Sequence, residues 1–177
     1  MKHICILLLV FSPIISISQE EIGEYLKWSA VRKLTWADYK ASPDTDSDAA
    51  ASTTTSLSIE YNISSSGFGY KIKSRFSKTN SWVLHKTDYI LSHEQGHFDL
   101  AEVFARKLHK QMNEYIFNKR TYQKDLDKIY KIITEEKTKM QDNYDRETRH
   151  SINREKQAEW LKKIKHMLEE YQAWAHY

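Results

Sequence analysis

The spacing of apolar residues changes along this chain, and the changes divide it. From Ile4 to Ile17 apolar residues run almost unbroken. Between about 51 and 76 they alternate with polar ones: Leu57, Ile59 and Tyr61, then Phe68, Tyr70, Ile72 and Phe76, with Ser64-Ser65-Ser66-Gly67 between the runs. A period of two predicts an antiparallel hairpin with strands over Ala51 to Asn62 and Phe68 to Phe76. From Thr87 the period lengthens to about 3.6 through Ile90, Leu91, Phe98, Ala101, Ala105, Leu108, Met112 and Tyr115. That spacing predicts a helix from Thr87 toward Asn118, with Thr87 as N-cap and Asp88 in an acidic first turn.

Two further helical stripes follow. One runs through Tyr122, Leu126, Ile129, Tyr130, Ile133, Met140 and Tyr144. The other, capped by Ser151 or Asn153, runs through Trp160, Leu161, Ile164, Met167, Leu168, Tyr171 and Trp174. Trp36 to Tyr39 predicts a short helical turn before the polar loop Ser42 to Ser47. The fold class is α+β, a small antiparallel sheet packed on three long helices. A lone hairpin is rarely stable, so sheet and helices form one domain over residues 19–177.

Composition adds a leader. Lys2, the apolar run and small residues at Ser16 and Ser18 predict a signal peptide over residues 1–18, cleaved before Gln19. The run is short for a membrane span, so the mature chain is expected to be exported, periplasmic or secreted, with no stable span. The single cysteine, Cys5, leaves with the leader. The mature domain therefore has neither disulfides nor thiolate metal ligands, and any zinc must rest on histidines and carboxylates. The formal charge is +3 with basic and acidic residues interleaved, which argues against a nucleic-acid partner.

The chemistry lies in His93-Glu94-Gln95-Gly96-His97. On a helix, residues four apart lie about 40° apart around the axis, so both imidazoles reach one metal ion. Glu94 flanks the same face, where its carboxylate can deprotonate a water. A catalytic zinc takes a third protein ligand. Asp99 and Glu102 stand about 240° and 180° around the axis from His93. They are assigned to supporting positions behind the ligands or to surface pairs, and Glu102 is spaced for an i,i+4 pair with Arg106. The third ligand is expected from a later element, with His150 at the junction of the last two helices the best placed. Glu135, Glu136 and His109 are its rivals. Tyr144 is a candidate donor to the developing oxyanion.

The run Ser92 to Glu102 resembles the core of a bacterial domain-of-unknown-function family described as predicted secreted zinc-dependent proteases. Leu34-Thr35-Trp36-Ala37-Asp38-Tyr39, Ser81-Trp82-Val83, Tyr144-Asp145 through Thr148 and His150, and then Gln157 and Trp160, are similar to its other segments in the same order. The resemblance implies a zincin-like metallopeptidase acting on peptides or proteins. His93, His97 and His150 would be the zinc ligands, Glu94 the general base and Asp145 a supporting residue. A glycine often follows the downstream histidine in that pattern; here it is Ser151. An extended substrate is expected along a strand edge, near Tyr70 to Phe76 or at Ser81 to Val83. The alternatives are a non-catalytic zinc-binding envelope protein and a metal-free helical interaction module.

Overall fold

A computed structural model describes residues 23–64 and 67–177. The expected signal peptide and the middle of the hairpin turn lie outside the described residues. Five strands precede three helices: β1 Tyr25–Lys27, β2 Ala51–Ser52, β3 Thr55–Ser64, β4 Gly67–Ser77, β5 Trp82–Val83, α1 Asp88–Glu114, α2 Tyr122–Thr148 and α3 Arg154–Glu170. The α+β architecture follows the apolar spacing. In the hairpin of β3 and β4, Ile59 faces Ile72 and Tyr61 faces Tyr70, which puts the alternating apolar set on one face. β1 adds to the outer part of β4, giving the order β1-β4-β3.

The run expected as a single strand from Ala51 is broken at Thr53-Thr54. Its first two residues turn aside to pair with β5, Ala51 opposite Val83 and Ser52 opposite Trp82. The break is held by side chains: the Thr54 amide donates to Ser81 Oγ at 2.9 Å, and Thr53 Oγ1 lies 2.7 Å from the Tyr39 hydroxyl. Trp36–Asp38 is the expected helical turn.

The central element is α1. Thr87 caps it, its hydroxyl accepting from the Ile90 amide. Leu100, Ala101, Ala105 and Leu108 are fully buried, because the helix has the sheet on one side and α2 and α3 on the others. Leu57, Ile72, Phe104, Leu108, Leu126 and Ile133 form the core between hairpin and helices. A second cluster, with Leu26, Leu34, Tyr39, Phe76 and Phe98, seats the N-terminal segment on α1. Leu100, Tyr144, Trp160 and Ile164 join the three helices. Asn153 provides the α3 cap, accepting from the Lys156 amide. Among the described residues, no helix is long and apolar enough to cross a membrane.

Candidate metal centre

The first turns of α1 bring His93, Glu94 and His97 to the floor of a cavity of about 490 Å³. Its opposite wall is α2, and the backbone from Ala49 through β2 to Thr55 closes it from the sheet side. All three α1 side chains are buried, at 2%, 3% and 8% exposure for His93, Glu94 and His97.

Three ligand atoms converge there. Nε2 of His93 and Nε2 of His97 are 3.2 Å apart, and Asp145 Oδ1 lies 3.1 Å from the first and 3.0 Å from the second. Ligand atoms held about 2.0–2.1 Å from a tetrahedral zinc stand about 3.3 Å apart, so the triangle has the size that a zinc ion requires. Three lone-pair-bearing atoms at this range repel one another unless a positive charge, a proton or a cation, lies among them. Although burial works against its ionisation, bonds from both histidines hold the Asp145 carboxyl well below the usual carboxylate range. Burial pushes the His93 imidazole down. His97 is also buried, but the Asp145 carboxylate holds it up.

The surroundings favour ligation. Gln141 Oε1 lies 2.5 Å from His97 Nδ1, and Gln141 Nε2 donates to the His97 carbonyl at 2.9 Å. With Nδ1–H donating to Gln141 Oε1, the Nε2 lone pair of His97 faces the cluster, as a metal-ligating histidine requires. At the cluster, His93 Nδ1 and Glu94 Oε2 are buried without a hydrogen-bond partner among the described residues. An unpaired buried carboxylate oxygen is costly. Glu94 lines the same cavity as the cluster.

His150 stands one step out from the triangle. Its Nδ1 is 3.4 Å from Asp145 Oδ1, its side chain is half exposed, and it lines the cavity rim. The group close enough to share one ion is His93, His97 and Asp145. Among the described residues, Asp145, expected as a supporting residue, stands inside the triangle and His150, expected as a ligand, stands outside it, for a backbone reason. Asp145 is in the last turn of α2 and faces α1. After Thr148 the chain takes left-handed φ at Arg149 (51°), His150 (50°) and Ser151 (73°), which swings His150 off the helix line. Ser151 holds the most positive φ, a conformation that glycine adopts without strain, at the position where the resembled pattern often has glycine.

The Tyr144 hydroxyl, expected to face an oxyanion, is turned to the backbone of α1. Tyr144 is fully buried, its hydroxyl donates to the His93 carbonyl at 3.2 Å, and its ring stacks on His93 with centroids 4.5 Å apart. Gly96 is the counterpart: a Cβ there would lie 2.5 Å from the Tyr144 hydroxyl oxygen. The glycine makes room for a ring of α2, not for a substrate. Gln95 accepts from the Leu34 amide at 2.8 Å and donates to Asp99 at 2.7 Å, fixing the Leu34 to Tyr39 segment to α1.

Asp99 and Glu102 support other structures. Asp99 accepts from Trp28 Nε1 at 2.6 Å. Glu102 forms the expected pair with Arg106 at 2.8 Å, but buried on the far side of α1, and also accepts from the Tyr177 hydroxyl. Glu135 and Glu136 are exposed, and His109 bonds to the Trp174 carbonyl. The sequence reading missed Gln141. Its signal is a spacing of four from Asp145, which sets both on one face of α2.

The profile of a family described as bacterial protein of unknown function (DUF922) matches residues 26–151, well over half the chain. No match was found among curated proteins or solved structures. The matched span runs from β1 to Ser151 and holds every residue of the cluster, together with Glu94, Gln141 and His150.

Proposed function

The chain belongs to this bacterial family, and from its converging ligand atoms we propose that it is an exported zinc-dependent peptidase. The observation that carries the reading is the triangle of His93, His97 and Asp145, 3.0–3.2 Å on a side, beside an unpartnered Glu94 oxygen. His93, His97 and Asp145 would hold the ion, with Gln141 fixing the His97 tautomer. Zinc bound there would act as a Lewis acid on a water and on a peptide carbonyl. Glu94 takes the proton of the attacking water and returns it to the leaving amine. His150, half exposed and lining the cavity, would donate to the carbonyl oxygen. β2 pairs with β5 on one side only, and the backbone around it lines the cavity. An extended substrate would lie against this segment, not along β4, whose Lys71 to Ser74 stretch lines a different cavity. The leader pattern at residues 1–18 supports export.

Metal analysis and peptide cleavage by the mature protein test the reading. Wild type is expected to bind one zinc and cleave peptides. Glu94→Gln is expected to keep the zinc and lose cleavage by at least about a hundredfold. A wild type that binds no zinc overturns the proposal. Zinc binding with undiminished turnover in Glu94→Gln overturns the role of Glu94. Zinc binding that raises the melting temperature in a protein cleaving nothing favours the non-catalytic zinc protein instead.

A further inference from the structure

Lys137, Gln141 and Asp145 recur every fourth residue, so one face of α2 presents all three to the cavity. Gln141 and Asp145 are accounted for by the histidines. Lys137 is not. Among the described residues its ammonium makes no hydrogen bond and no ion pair, although it is partly buried in the cavity wall. Burial pushes its pKa down, and no neighbouring acid lifts it again. Neither acid of the cavity, Asp145 or Glu94, offsets the effect of burial on Lys137. The rest of the lining is hydroxyls, small side chains, Trp82 and His150. A lysine gives up hydration here without an internal counter-charge, an arrangement suited to an anion supplied from outside.

The distance restricts which anion. Eight residues separate Lys137 from Asp145, about 12 Å along the helix axis. An extended peptide advances about 3.3 Å per residue. For a peptide running along α2, Lys137 therefore lies abreast of a substrate position a few residues from the bond at the metal centre. Resting on the peptidase reading, we infer that Lys137 is a specificity residue that anchors a substrate carboxylate, either an acidic side chain or a free C-terminus, within a few residues of the cleaved bond.

The test uses the mature zinc-loaded protein and four matched peptide mixtures. Each mixture is randomised at its flanking positions, carries Glu or Gln at one fixed position, and has a free or amidated C-terminus. Binding is read by calorimetry and cleavage by mass spectrometry. Wild type is expected to bind a carboxylate-bearing mixture about tenfold or more tighter than its neutral match. A gain confined to the Glu mixtures identifies a side-chain anchor, and one confined to free termini identifies a C-terminal anchor. Lys137→Met should abolish the preference while leaving zinc content and melting temperature unchanged, and Lys137→Arg should keep part of it. Equal binding of charged and neutral mixtures by wild type overturns the anchor, as does a preference that survives in Lys137→Met or an absence of binding to any mixture. Cleavage without preference overturns the anchor and leaves the peptidase reading standing. A Lys137-dependent preference without cleavage does the reverse.

Discussion

Helix α1 carries two buried charged constellations on opposite faces, and they differ in completeness. On the far side Glu102 and Arg106 are closed. One carboxylate oxygen accepts from Arg106 Nε, the other from the Tyr177 hydroxyl, and Arg106 also donates to the Leu168 carbonyl and to Gln172. On the near side His93, His97 and Asp145 crowd together, while His93 Nδ1 and Glu94 Oε2 have no partner. The α1 side chains of both sets are buried, so their burial does not distinguish them. Satisfaction does. A structural ion pair uses its donors and acceptors internally, whereas a working site leaves some for a ligand.

The largest effect should come from breaking the closed side. Arg106→Met strands the Glu102 carboxylate and is expected to cost about 3–5 kcal/mol. That lowers the melting temperature by on the order of 10 °C for a chain of this size. Adding Glu102→Gln should recover much of it, and thermal melts of both variants check this. The open side should respond to metal. Zinc at a hundredfold excess over its Kd is expected to stabilise wild type by about 2.7 kcal/mol. Asp145→Asn should abolish that gain, and Gln141→Leu should raise the zinc Kd by about 10–100-fold, both read by melting with and without zinc.

Smaller still, Gly96→Ala should destabilise by about 1–3 kcal/mol, since its methyl would meet the Tyr144 hydroxyl. This opposes the roughly 1 kcal/mol by which alanine favours an ordinary helix. Pairing it with Tyr144→Phe should relieve part of the loss in chemical denaturation. The smallest change expected is a gain. Arg149 is exposed and sits at the left-handed C-cap of α2 with φ 51°, so Arg149→Gly should stabilise by about 0.5–1 kcal/mol in the same assay.

What depends on neighbours in sequence was legible without coordinates. The period of two set the hairpin face, the period of 3.6 set α1 from its cap at Thr87, and spacing alone put His93 and His97 on one side. What depends on how helices meet was not. Asp145 displaces His150 from the cluster because three left-handed residues follow Thr148, and no periodicity encodes such a turn. The Tyr144 hydroxyl is consumed by the His93 carbonyl only once α2 lies against α1. Gln141 and Lys137 carry no motif, and their places follow from the phase of α2 relative to α1, a tertiary quantity. The break between β2 and β3 likewise depends on Tyr39 and Ser81, distant in sequence.

The two inner positions of the pentapeptide bear on transplantation. Gln95 clasps the Leu34 amide and Asp99, and Gly96 admits the Tyr144 ring to the back of the histidines. A designer who grafts His-Glu-x-x-His onto another helix and fills those two positions freely moves the ligands but leaves behind the parts that aim them. On a host scaffold the smallest portable unit is the pentapeptide together with a crossing helix bearing Gln141, Tyr144 and Asp145.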